Sequence, residues 1–151
     1  MILVSACLVG QSTRYDGKHS LAPGLDERLR GREYIALCPE LLGGLGVPRL
    51  RASIQGGRPG REGEDVLAGR ARIVTAEGVD VSQVFIRGAQ RVLQAALSAG
   101  VTACLLKDRS PSCAWDPLGQ NPRGGPGQGV LTALLLAHGL EVTEVRASAV
   151  K

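Results

Sequence analysis

The chain has 151 residues, a length that fits one domain over residues 1–151 and that can bury a core without disulfide cross-links. Hydrophobic residues make up 44% and charged residues 21%, which is typical of a globular protein and excludes a disordered one. Aromatic residues make up only 3%, and the net charge of +4 comes from basic residues that form no continuous run. We therefore expect no nucleic-acid partner, because single-stranded bases need aromatic stacking platforms.

The N-terminal stretch MILVSACLVG lacks the basic segment of a signal peptide and is too short to span a membrane. The apolar run Val130–Ala137 is also too short. The sequence therefore predicts a cytoplasmic protein that does not enter a membrane. In that compartment, four cysteines indicate metal binding or catalysis before disulfides.

Two apolar runs in the first part of the chain, Ile2–Val4 and Tyr34–Leu37, predict buried strands. Leucines spaced four apart between them predict a short helix over Leu21–Gly31. The stretch Leu41–Gly63 is rich in Gly, Pro and Arg and is too long for an ordinary connection. It is therefore either mobile or wrapped over a site.

The second part of the chain alternates strands and helices. The predicted elements are a strand Arg72–Thr75, an amphipathic helix capped by Asp80 or Ser82 and ended by Gly100, a strand Val101–Leu106, a helix Val130–His138 and a strand Leu140–Val145. This alternation favours a Rossmann-like α/β fold in one layered domain, with a mostly parallel central sheet flanked by helices. The ligand site of such a fold lies beyond the carboxyl ends of the strands.

Three of the four cysteines fall at or just after the end of a predicted parallel strand. Cys7 follows the first strand, Cys38 closes the second, and Cys113 lies in the loop after Val101–Leu106. Because these ends share one edge of the sheet, the three thiols can converge. Cys104 lies inside a strand, and we expect it to be a small core residue.

Three convergent thiolates suit zinc, copper(I) or an iron–sulfur cluster, and a metal with three protein ligands keeps a position open for substrate. The chain has no Cys-x-x-Cys pair, so a structural zinc finger is disfavoured. On spacing alone, three unrelated cysteines explain the pattern equally well.

Polar side chains accompany each of these thiols. Glu40, two residues after Cys38, is a candidate general acid or base. The other candidates are Arg14, Tyr15 and Asp16 for binding substrate, and Lys107, Ser110 and Ser112 for catalysis.

The segments VSACLVG, RYDGKHS, CPELLGGLGVPR, GVDVS, LLKDRSPSC and GQGVLTALLLAHGLEV occur in the order seen in the 2-thiouracil desulfidases. The chain resembles that family over roughly Ile2 to Val145, and the combination of SACL, CPE and SPSC is specific. The resemblance implies a [4Fe–4S] cluster held by Cys7, Cys38 and Cys113, with the fourth iron free to take the sulfur of a thiolated substrate. It also implies catalysis by a nearby acid and a serine, for which Glu40 and Ser110 or Ser112 are the candidates.

The implied reaction removes sulfur from a thiolated nucleobase such as 2-thiouracil and gives the oxo base and sulfide without net electron transfer. Water deprotonated by Glu40 attacks the thione carbon, and Lys107 or Arg14 stabilises negative charge. Two alternatives stay open. One is a non-catalytic iron–sulfur or zinc protein, such as a sulfur carrier or sensor; the other is a metal-free enzyme with Cys113 as nucleophile.

Overall fold

The computed structural model describes residues 1–118 and 124–146. Four strands form its central sheet, in the order β2-β1-β5-β6, and every neighbouring pair is parallel. These strands are β1 (Ile2–Ser5), β2 (Tyr34–Leu37), β5 (Ala103–Lys107) and β6 (Glu141–Val145). The predicted α/β fold with a mostly parallel sheet is therefore confirmed.

Helices make the crossover connections of this sheet. Helix α1 (Leu25–Leu29) lies between β1 and β2, α4 (Ser82–Ser98) precedes β5, and α5 (Val130–Ala137) lies between β5 and β6. The chain moves from β1 to β2 on one side, whereas β5 and β6 lie on the other side of β1. The order of the strands therefore reverses between β1 and β5, and ligands of open α/β sheets bind at such a point.

A second, smaller sheet was only half predicted. The strand β3 (Ala52–Gln55) pairs antiparallel with β4 (Arg72–Thr75), and α3 (Glu62–Leu67) lies between them in the chain. The stretch Leu41–Gly63 is therefore no structureless connection, because it contains β3 and the beginning of α3. Neither α2 (Pro39–Leu42) nor β3 was predicted. Pro39 was interpreted as the end of the second strand, and the β3 sequence ASIQ has only one large apolar residue, Ile54.

The core consists of aliphatic side chains between the sheet and the helices. Its largest cluster joins Leu3 of β1 to the apolar face of α4 and to α5. The residues of α4 that are buried there include Phe85, Ala89, Val92, Leu93 and Ala96, as the helical spacing predicts. Cys104 is 1% exposed and belongs to this cluster, so its predicted core position is confirmed.

Several boundaries differ from the predicted ones by a few residues. Helix α1 begins at Leu25 and not at Leu21, and β5 begins at Ala103 and not at Val101. Helix α4 begins at Ser82, whose backbone N–H donates to the Asp80 carboxylate at 2.9 Å. The predicted loop over residues 107–128 lies partly outside the described residues. Within the described ranges, every helix is too short or too polar to cross a bilayer.

Candidate active site

A cleft of about 200 Å³ opens at the carboxyl ends of β1, β2 and β5, where the strand order reverses. Cys7, Cys38 and Cys113 all line it. Cys7 lies in the short 3-10 helix Ala6–Val9 directly after β1, Cys38 lies between β2 and α2, and Cys113 lies in the turn after β5. The structure thus brings together the three thiols that the strand ends predicted.

Close packing of two helices positions Cys38 and Glu40. Both residues flank Pro39, which begins α2, and α2 lies against α4 at Gly88. A Cβ atom at position 88 would overlap the carbonyl oxygen of Pro39. Because glycine has no Cβ atom, α2 can pack directly against α4 at this position. This contact fixes the positions of Cys38 and Glu40, which flank Pro39.

The turn that carries Cys113 is organised by hydrogen bonds. The Ser110 hydroxyl accepts from the backbone N–H groups of Ser112 at 3.0 Å and of Cys113 at 3.1 Å. Behind the turn, the Thr132 hydroxyl donates to the carbonyl oxygen of Cys113 at 3.0 Å. A Cβ atom at Gly129 would overlap the Ser112 backbone. The thiol is therefore held by a tightly packed support and is only 4% exposed.

Burial makes the three thiols weak acids in the cluster-free protein. It raises the pKa of Cys7 to about 11 and raises the pKa values of Cys38 and Cys113 as well. Lys107 and Arg14 act in the opposite direction on the pKa of Cys7, and Arg49 does so on that of Cys38. Binding of a metal group as thiolates would therefore release protons, and these cations would balance part of the new negative charge.

The donor set of the cleft fits an iron–sulfur cluster. Three convergent thiols form a soft ligand set, typical of iron–sulfur groups or zinc. Cys7, Cys38 and Cys113 are the residues that would hold such a group.

Glu40 lines the same cleft and is held by two partners. Its Oε1 accepts from Arg49 Nε at 3.0 Å and lies 2.9 Å from Arg49 Nη2. Its Oε2 accepts a long hydrogen bond of 3.4 Å from the buried Ser112 hydroxyl. The structure therefore connects Ser112 to the carboxylate, whereas Ser110 lines the cleft and supports the Cys113 turn.

The other predicted residues occupy different positions around the cleft. Lys107, Arg14 and Tyr15 line it. The Lys107 ammonium donates to the carbonyl oxygen of Asp108 at 3.0 Å. Asp16 is not among the described residues that line the cleft; its carboxylate pairs with Arg14 at 2.8 Å, so its route to a ligand runs through that guanidinium.

Cationic side chains dominate the charged lining of the cleft, and sequence reasoning overlooked some of them. Glu40 is the only carboxylate on this lining among the described residues. Arg49 and Arg51 come from the Gly/Pro-rich stretch after α2, which therefore forms part of the lining of the cleft. The cations that line the cleft are Arg14, Arg49, Arg51, Lys107 and Arg109. Arg49 is the last residue of CPELLGGLGVPR, one of the segments on which the family resemblance rests, so the resemblance could have identified it as a site residue.

Fold and site together define a class of protein: an α/β domain with three cysteines and a carboxylate at the reversal point of a parallel sheet. The model of the 2-thiouracil desulfurase family matches residues 2–146. The chain therefore belongs to this family, as its motifs predicted, and its class as a desulfidase is confirmed.

Two relatives show how completely the chain matches. It is 41% identical over 145 residues to the uncharacterized protein YbbK of Bacillus subtilis (strain 168), covering 94% of this chain and 93% of the relative. Among solved structures it is similar to the [4Fe–4S]-dependent thiouracil desulfidase TudS, with 38% identity and a TM-score of 0.72. That match covers 95% of this chain and 89% of the other. The cofactor of TudS agrees with the cofactor predicted for this chain.

Proposed function

We propose that this chain hydrolyses the carbon–sulfur bond of a thiolated pyrimidine such as 2-thiouracil, using a [4Fe–4S] cluster held by Cys7, Cys38 and Cys113. The observation that carries the proposal is the meeting of these thiols with Glu40 in one cleft. The TudS likeness and the family model support both the cofactor and the substrate. A non-catalytic sulfur carrier would not need a carboxylate beside the thiols.

A cluster held by Cys7, Cys38 and Cys113 would supply a Lewis acid for the thione sulfur. The residues of this chain do the rest. Glu40 takes a proton from water, and the resulting hydroxide attacks the thione carbon. The carbon–sulfur bond then breaks and the proton held by Glu40 passes to the leaving sulfur, so that water and thiouracil give uracil and hydrogen sulfide without net electron transfer. Lys107 and Arg14 stabilise the negative charge that develops.

The dimensions and lining of the cleft support a small substrate. Ligand sites for drug-sized molecules measure roughly 300–1,000 Å³. This cleft measures about 200 Å³ before any cluster is bound, so the space left beside a cluster suits only a small ligand. Tyr15 and Arg14 are placed at the cleft to contact such a ring. We also propose that the enzyme acts as one domain, in the cytoplasm, on a free base and not on nucleic acid.

The test is the iron and acid-labile sulfide content of protein purified without oxygen, followed by thiouracil turnover. Cys113→Ser removes a proposed ligand, whereas Cys104→Ala is the matched control, because that thiol lies in the core and does not line the cleft. We expect cluster in the wild type and in Cys104→Ala, and its loss together with all turnover in Cys113→Ser.

Three other results would contradict the proposal in different ways. Wild-type protein without iron after reconstitution would refute the cluster. A full cluster without turnover of thiouracil would favour the sulfur carrier or sensor. Turnover that survives in metal-free protein and is lost in Cys113→Ser would favour a cysteine nucleophile.

A further inference from the structure

Arg49 lies between α2 and β3, and its side chain is only 8% exposed. A buried guanidinium needs hydrogen-bond acceptors, and here each of its nitrogens has one. Nε donates to Glu40, Nη2 contacts Glu40 and donates to the carbonyl oxygen of Thr13 at 2.8 Å, and Nη1 donates to that of Gly46 at 3.1 Å. The Arg49 backbone N–H also donates to the carbonyl oxygen of Tyr15 at 2.7 Å.

These contacts divide the Glu40 carboxylate into two unlike oxygens. Oε1 is taken by the guanidinium, whereas Oε2 has only the 3.4 Å contact with the Ser112 hydroxyl among the hydrogen bonds found for the described residues. A planar guanidinium fixes the plane of a carboxylate as well as its position. Oε2 therefore keeps a defined direction and has lone pairs available for water.

The same guanidinium also holds the loop that follows Cys7. The carbonyl oxygen of Thr13 accepts from Arg49 and from the Cys38 thiol, whose sulfur lies 3.8 Å away. Thr13 and Tyr15 both line the cleft. Arg49 thus joins the loop after the first cysteine to the carboxylate that follows the second.

We propose that Arg49 is the positioning residue of the site: it fixes Glu40 with Oε2 directed at the attacking water and fastens the Thr13–Tyr15 loop to the same carboxylate. It acts through Glu40 and does not react itself. The inference rests on the proposed function, because it assigns to Glu40 the role of a base. Misplacement of a catalytic group by about 1 Å can cost about 100-fold in rate.

The test compares Arg49→Gln and Arg49→Lys with Arg87→Gln. Arg87 is the matched control, because its guanidinium contacts the carbonyl oxygen of Gly43 just after α2 and does not touch Glu40. We expect Arg49→Gln to lower kcat about 100-fold with iron content near that of the wild type. KM should rise by a smaller factor, because the loop that carries Tyr15 loses its contact with the guanidinium. Arg49→Lys should retain part of kcat, since its ammonium keeps the charge but cannot bind both Glu40 and the carbonyl oxygen of Thr13. Arg87→Gln should keep a kcat close to that of the wild type.

A double mutant separates positioning from a general structural role. If Arg49 acts through Glu40, Arg49→Gln costs almost nothing further in a Glu40→Gln background. An equal loss in both backgrounds would overturn the inference. So would unchanged kcat in Arg49→Gln, or a loss of kcat that follows a loss of iron.

A second measurement does not depend on the reaction. In cluster-free protein, hydrogen exchange of the amides of residues 13–17 should become faster in Arg49→Gln than in Arg87→Gln, because the loop loses the bond to Thr13. Unchanged protection would overturn the role of Arg49 in the loop. A wild type that binds cluster but does not turn over thiouracil would refute the proposed function instead, and the exchange result would still decide this contact.

Discussion

Two of the carboxylates that pair with arginine in this molecule, Asp65 and Glu40, are held differently. Asp65 in α3 is 2% exposed and binds two guanidinium groups: its Oδ1 accepts from Arg58 at 2.8 Å and from Arg70 at 3.0 Å. Its Oδ2 accepts from the backbone N–H of Arg58 at 2.7 Å. Glu40 in the cleft binds one guanidinium through one oxygen and leaves the other with a single long contact.

The difference separates a structural carboxylate from one that is available for chemistry. Asp65 has strong donors on both oxygens, so it has no capacity for a substrate or a water molecule. Its bonds join α3 to Arg58, which follows β3, and to Arg70, which precedes β4. In Glu40, only Oε1 accepts from a strong donor, and Oε2 can still accept a further hydrogen bond. A carboxylate that is fixed at one oxygen and free at the other is the arrangement that a positioned general base requires.

The largest effect that tests this contrast is expected for Glu40→Gln. Glutamine keeps an oxygen for Arg49 but is not a base, so we expect kcat to fall by about 100- to 10,000-fold, the range for a lost general base. Cluster content and the temperature of unfolding should change little. Steady-state kinetics with thiouracil measures kcat, and iron analysis measures cluster content. A fully active variant would mean that Glu40 is not the general base.

The opposite result is expected for Asp65→Asn, which should leave kcat within about twofold of the wild type and lower the stability. The bonds from Arg58 hold the pKa of Asp65 well below its usual range in the folded state. The stabilisation is therefore present above the unfolded-state pKa of about 3.9 and is lost as the pH falls through the lower folded-state value.

Thermal unfolding of the wild type and Asp65→Asn as a function of pH measures this linkage. The gap between their unfolding temperatures should be constant from about pH 5 to 8 and should narrow below about pH 4. A gap that does not depend on pH would mean that Asp65 contributes by packing and not by its charge.

A smaller effect on kcat than that of Glu40→Gln is expected for Ser112→Ala, which removes the long hydrogen bond to Glu40 Oε2. Because that bond is weak, we expect kcat to fall by less than about tenfold, with the cluster retained. Ser110→Ala is the informative partner, since its hydroxyl accepts two backbone N–H groups at the Cys113 turn and its loss should lower iron content first. Equal effects of both variants on kcat would mean that the two hydroxyls do not have these separate roles.

Much of the fold could be predicted, because β1 contains the apolar run Ile2–Val4 and α4 repeats its apolar residues at helical spacing. The convergence of the three cysteines followed from the same argument, since parallel strands place their carboxyl ends at one edge. Spacing alone did not decide whether the cysteines bind zinc, copper(I), an iron–sulfur cluster or no metal. The prediction of a cluster came from the resemblance to the desulfidases.

The role of Arg49 could not be predicted, because it depends on the path of the chain between α2 and β3. Neither α2 nor β3 has a periodicity long enough to detect, and the position of the guanidinium depends on carbonyl oxygens of Thr13 and Gly46. Asp65 was equally hidden, since nothing in its neighbourhood distinguishes a saturated ion pair from surface charge. Partners that lie far apart in sequence become visible only in three dimensions.

The three cleft cysteines follow three different strands, which are neighbours in the order β2, β1 and β5. A group bound to all three cysteines would therefore link three strands at their carboxyl ends, in addition to its part in the reaction. Since a ligand that binds only the folded state adds its binding free energy to stability, cofactor loading and resistance to unfolding must rise and fall together. Exposure to oxygen would then make the protein colourless and easier to unfold in the same event.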